Sequence, residues 1–198
     1  NDELHRSLDG KTFVSMSYGV LDFATRKLRF CRAGQDKPYI MNMGWQNPEP
    51  QIVESRGMAL GVTKGPRFSK AMEEIEVVLE PGDLFFQKTD GLVEATNKEQ
   101  EQFGEERLRD VLKRYGRTTC SELVEIVRES LEDFSRAREQ EDDITMVAVK
   151  CQDPEAMTRT ARMERFKSPD RKTPVPNSFG SAPTATFPPP GSVPPFSR

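Results

Sequence analysis

Two short acidic stretches carry the side chains best suited to chemistry. The first is Thr89-Asp90-Gly91, which follows the apolar run Leu84-Phe85-Phe86. That run is rich in aromatic and β-prone residues, and the preceding Pro81-Gly82 punctuates a turn, so Leu84 to Thr89 is predicted to be a buried strand ending on Asp90. A carboxylate at the end of a rigid strand, with a glycine behind it that lets the backbone turn tightly, can hold an oxygen ligand for a hard cation. Asp-Gly is also one of the commonest hairpin turns, and the dipeptide alone favours that reading.

The second stretch is Glu141-Asp142-Asp143, directly before Ile144 to Lys150, whose alternation and β-branching read as a strand. Alone, such a triplet reads as a solvated loop. If its strand runs antiparallel beside the one ending at Asp90, both acidic groups reach the same sheet edge. Carboxylates brought together there need a cation or a raised pKa.

The elements that must position these groups are legible in outline. Asn1 to Leu8 fits the end of a helix, with His5 read as a solvated helix-surface residue. Thr12 to Leu21 alternates Val14, Met16, Tyr18 and Val20 with Ser15, Ser17 and Gly19, predicting a strand with one well-packed face. Lys27 to Ala33 is its hairpin partner. A second hairpin is expected from Tyr39 to Met43 and Gln51 to Glu54, with Trp45 covering the sheet. Gly57 to Gly61 is an apolar loop bounded by glycines, and Glu73 to Leu79 is a further strand. Gly104 to Tyr115 reads as an amphipathic helix, and a longer one begins near Thr119, which has capping-box spacing to Glu122.

Composition bounds the rest. The chain has 198 residues, 35% of them hydrophobic, and a net charge of −3 that gives no reason to expect nucleic acid or membrane as a partner. Residues 152–198 are rich in proline and lack apolar periodicity, so residues 1–151 are expected to form one domain and 152–198 a disordered tail. Cys31, Cys120 and Cys151 have neither disulfide-framework nor zinc spacing, which fits a reducing cytoplasm.

The ordered set Pro-Gly-Asp, apolar strand, Thr-Asp-Gly, Glu-Ala, Phe-Gly-Glu-Glu-Arg-Leu, helix, Asp-Asp-Ile-Thr resembles the catalytic domain of bacterial PPM-type serine/threonine phosphatases of the SpoIIE and RsbU kind, from about Thr12 to Lys150. The resemblance implies an α+β fold, a PPM-type α-β-β-α sandwich of two antiparallel sheets flanked by helices. It implies two Mn²⁺ or Mg²⁺ ions in the complete domain, activating water for attack on a phosphoserine or phosphothreonine protein. Asp90 and Asp142 match metal ligands, while Gly91 and Asp143 match supporting positions.

Two departures qualify this picture. Gln35 stands where the family has a histidine, so a titrating role is lost there. The family's central Asp-Gly ligand precedes the segment equivalent to Thr12, so the first strands are expected to be missing from this chain, with weak metal binding and exposed sheet edges as consequences. The resemblance further implies a substrate such as an anti-sigma-factor antagonist and an N-terminal sensory domain in the parent protein. The alternative is a catalytically silent phosphatase-like module that binds a regulatory protein.

Overall fold

The computed structural model describes residues 1–136 and 142–152. In chain order its elements are α1 (Asp2–Ser7), β1 (Met16–Asp22), β2 (Lys27–Ala33), β3 (Tyr39–Asn42), β4 (Gln51–Ile52) and α2 (Pro66–Ala71). Then come β5 (Glu74–Val78), β6 (Asp83–Lys88), α3 (Gly91–Glu94), α4 (Gly104–Tyr115), α5 (Cys120–Ser135) and β7 (Met146–Lys150). The strands make two antiparallel sheets, ordered β1-β2-β5 and β4-β3-β6-β7. This is the expected α+β arrangement of antiparallel sheets and helices. Expectations for residues 153–198 and for Glu141 lie outside the described residues.

β6 organises the core because it is central in its sheet and buried on both faces. Side chains alternate along a strand. Leu84 and Phe86 therefore join Met41, Leu108, Leu112 and Leu123 in one cluster, while Phe85 joins Leu28, Phe30 and Leu79 in another. The second cluster includes an edge-to-face contact between Phe30 and Phe85, with ring centroids 5.8 Å apart. The turn into β6 uses Pro81 and Gly82 as expected. Gly82 has φ +92°, and Asp83 N–H donates to Glu80 O at 2.9 Å.

α4 has the predicted bounds, and α5 begins with the predicted capping box. Thr119 Oγ1 accepts from Glu122 N at 3.2 Å, and Glu122 Oε2 accepts from Thr119 N at 2.9 Å. Replacing Thr119 by alanine is expected to lower stability by about 1 kcal/mol, measurable as a shift in the urea midpoint at unchanged m-value.

Several expectations need correction. β1 is a strand, but the alternation named the wrong face as packed. Pairing Gly19 with Phe30 and Leu21 with Leu28 turns Gly19 and Leu21 toward the core. Met16, Tyr18 and Val20 therefore lie on the other face, where Tyr18 is 61% exposed. On that face a Cβ at Gly19 would lie 3.3 Å from Leu28 Cδ1. Trp45 does not cover the sheet. It is 58% exposed, and its carbonyl accepts from Arg117 at 3.0 Å.

His5 is not merely solvated, because its Nδ1 lies 2.7 Å from Gly61 O, where α1 meets the glycine loop. In that loop Gly61 needs its positive φ of +87°. Gly57 is required for another reason: a Cβ there would fall 1.4 Å from Arg32 O. β7 begins at Met146 rather than Ile144, for a reason that lies in the site.

Candidate functional site

β6 and β7 pair antiparallel, with Lys88 opposite Met146, so the chain leaving β6 and the chain entering β7 meet at one sheet edge. There Thr89 joins them. Its backbone N–H donates to Thr145 O at 3.0 Å, and its hydroxyl donates to Asp143 O at 3.1 Å while accepting from Thr145 N at 3.0 Å. These bonds occupy Thr145 and end the regular ladder at Met146.

Asp90 is not in a hairpin turn. It has helical dihedrals (φ −60°, ψ −33°) and caps α3, with Oδ1 accepting from Gly91 N at 3.0 Å. Gly91 is helical and lies outside the positive-φ glycines, so the tight-turn argument for it is corrected. What it supplies is proximity. A Cβ on Gly91 would sit 2.7 Å from Asp143 O and 3.4 Å from Asp142 Cβ. The missing side chain thus lets Asp90-Gly91 lie directly against Asp142-Asp143. Asp90, Asp142 and Asp143 are all exposed, and Asp142 Oδ1 accepts from Asp143 N at 2.8 Å.

Oxygen donors at one solvent-facing edge fit a hard divalent cation, which characteristically takes one or two carboxylates and keeps several waters. Among the described residues no group of three His, Cys, Asp or Glu side chains converges closely enough to hold an ion.

Gln35 reaches the same edge. Its Oε1 accepts from Ser15 Oγ at 2.9 Å, and its Nε2 donates to Lys88 O at 3.3 Å. Both ends of the amide are engaged, and one binds backbone. Arg32 braces the loop by donating to Gln35 O, to Ser55 O at 2.7 Å and to Ser55 Oγ at 3.3 Å.

Sequence reasoning missed the support beneath the edge. Lys88 is buried and pairs with Asp36 and Glu105, and Glu105 accepts from Tyr39 OH. A signal was present, because Lys88 follows Leu84 and Phe86 at strand spacing and so must face inward with them. Burial, reinforced by the Glu105 hydrogen bond, pushes the Tyr39 phenol up to about 12. Stability from the protonated phenol is fully present below the ordinary tyrosine value near 10 and is lost as pH rises through about 12. Absorbance titration at about 295 nm is expected to show a late tyrosinate step that Tyr39→Phe removes, along with a shallower stability loss above about pH 10.

Residues 1–152 match the profile of SpoIIE, Stage II sporulation protein E. The chain belongs to the SpoIIE family. Among the relatives of this family member, protein IcfG of Synechocystis sp. is 27% identical over 141 residues, which cover 71% of this chain and 21% of IcfG. The SiaA-PP2C domain of Pseudomonas aeruginosa is 26% identical with a TM-score of 0.56, covering 75% of this chain and 56% of that one. The Mn-presoaked phosphatase domain of the cell fate determinant SpoIIE from Bacillus subtilis is 17% identical with a TM-score of 0.51, covering 70% and 56%. The chain thus spans about a fifth of the curated relative and little more than half of each structure. It is homologous to PP2C-type serine/threonine phosphatase domains, and its mixed helices and antiparallel sheets match their fold. Among the described residues no helix is long and apolar enough to cross a membrane.

Proposed function

We propose that this SpoIIE-family chain carries part of the active site of a metal-dependent phosphatase acting on phosphoserine or phosphothreonine proteins. In this reading Asp90 and Asp142 are ligands for Mn²⁺ or Mg²⁺, and Gly91 and Asp143 hold them in place. The observation that supports it most is the close approach of Gly91 to Asp143 O, which brings two acidic segments 52 residues apart onto one edge. The Mn presoak of the Bacillus subtilis SpoIIE domain favours the same class of ion. When bound, such an ion lowers the pKa of water to generate a nucleophile and offsets charge on phosphoryl oxygens.

The residues of this chain do the positioning. Asp90 keeps Oδ1 on Gly91 N–H, which orients the carboxylate outward from the start of α3. Thr89 sets the level of Asp142-Asp143 against it through two hydroxyl bonds. Exposure of the edge leaves room for a phosphorylated side chain presented by another protein. An anti-sigma-factor antagonist as substrate, a sensory domain preceding this segment and a cytoplasmic setting complete the proposal. The last accords with three free cysteines.

A second reading, a silent module that binds a regulatory protein, draws support from Gln35, whose amide is committed to Ser15 and to backbone. The deciding assay is Mn²⁺-dependent hydrolysis of an aryl phosphate and a phosphoserine peptide by the longest natural polypeptide carrying this chain. The enzyme reading expects turnover that Asp142→Asn removes without lowering the metal-free melting temperature. A folded protein with no turnover at saturating Mn²⁺ would favour the silent module.

A further inference from the structure

The side chain of Lys88 is 1% exposed, yet it lies two residues before Asp90 and carries a charge. Its ammonium pairs with Asp36, in the loop after β2, and with Glu105 Oε1 at 3.2 Å, in the first turn of α4. The backbone of Lys88 is held as well, because its carbonyl accepts from Gln35 Nε2 at 3.3 Å and from Gln87 Nε2 at 3.1 Å. Gln87 Nε2 also donates to Asp36 O at 2.7 Å, closing the link between strand and loop.

Burying an ammonium is costly, and a well-packed apolar residue is often as stabilising in such a place. Stability alone is therefore a poor reason for a lysine here. A better-attested use of buried ion pairs is fixing one arrangement among alternatives. The arrangement at stake is the end of β6, since the next residue, Thr89, makes the bonds to Asp143 and Thr145.

We propose that Lys88, with Asp36 and Glu105, is a positioning residue that fixes the end of β6 so that Asp90 meets Asp142-Asp143 in register. This rests on the reading of that edge as the metal-binding site. Lys88 is too buried to touch metal or substrate and acts through Thr89. Asp36 and Glu105 keep 35% and 52% of their side-chain surfaces exposed, so they can rehydrate when the lysine is replaced, and the fold can survive the change.

The test compares the wild-type chain with Lys88→Met, Lys88→Arg and Asp36→Asn. Asp36→Asn keeps the pair between Lys88 and Glu105 and serves in place of Lys88→Met if that variant does not fold. One readout is amide exchange of Thr145, whose N–H is held by the Thr89 hydroxyl, relative to Val127 in α5. The other is Mn²⁺ binding, followed by the electron paramagnetic resonance signal of the free ion.

Lys88→Met is expected to speed Thr145 exchange about 10-fold relative to Val127 and to weaken Mn²⁺ binding about 10- to 100-fold, the range seen when outer support of a metal ligand is removed. Lys88→Arg is expected to recover most of both. Unchanged Thr145 exchange in a folded Lys88→Met variant overturns the positioning role, even where wild-type Mn²⁺ binding upholds the metal site. An exchange response without Mn²⁺ binding by wild type leaves the positioning role standing and removes the metal reading.

Discussion

Gly91→Ala is expected to push the two acidic segments apart. The added methyl would meet Asp143 O at 2.7 Å, and that atom belongs to backbone held by the Thr89 hydroxyl, so no flexible side-chain tip can yield. Helix propensity opposes the clash, because alanine is about 1 kcal/mol better than glycine within a helix. Overpacking a fixed site costs about 1–3 kcal/mol. For a four-residue helix in contact with rigid backbone the clash wins, and a net loss of about 1–2 kcal/mol is expected in urea unfolding. On the proposed reading the functional effect exceeds the stability effect, since displaced carboxylates would no longer share an ion. Mn²⁺ affinity is expected to fall at least about 10-fold. A Gly91→Ala protein that is as stable as wild type and binds Mn²⁺ equally would show that the close approach has no role in the site.

Asp90→Asn is expected to have the largest effect on activity. Asparagine is nearly isosteric, and its Oδ1 can still accept from Gly91 N–H, so the start of α3 is retained. The substitution removes one of several neighbouring negative charges, so metal-free stability stays level or rises slightly. The lost carboxylate weakens the site more than loss of outer support does, so Mn²⁺ affinity and turnover should drop by roughly 100-fold or more. Stabilisation of the fold by added Mn²⁺ should shrink in parallel, because a ligand stabilises only as far as it binds. Thermal melts with and without Mn²⁺ check this directly. A variant that keeps the full Mn²⁺-induced shift would remove Asp90 from the ligand set.

How much of this was legible depended on whether a feature was local. The capping box of α5, the Pro81-Gly82 turn and the strand through Phe85 each follow from a few adjacent residues, and each formed as expected. The meeting of Asp90 with Asp142-Asp143 required only one long-range step, the antiparallel pairing of the strands they flank. Features set by register or by distant partners were harder. The alternation in β1 identifies a strand but not its buried face, which is decided by Leu28 and Phe30 on the neighbouring strand. His5 and Trp45 each depend on a residue more than 50 positions away.

Gly91 is instructive in a different way. In sequence the glycine after the aspartate reads as a source of backbone freedom, whereas the structure uses its lack of a side chain. Lys88 shows the opposite lapse. Its period-two relation to Leu84 and Phe86 already required a buried cation, and a buried cation requires partners. Asp36 and Glu105 could not be named without the fold, but their existence could have been expected.

The measurement that tests the central claim most directly is the pattern of paramagnetic broadening when Mn²⁺ is titrated into the ¹⁵N-labelled chain. If Asp90 and Asp142 bind one ion, amides of residues 89–91 and 142–145 should lose intensity first and together, and Asp90→Asn should abolish the effect at both segments. Broadening that begins elsewhere, or that persists unchanged in Asp90→Asn, would contradict a shared metal site at this sheet edge.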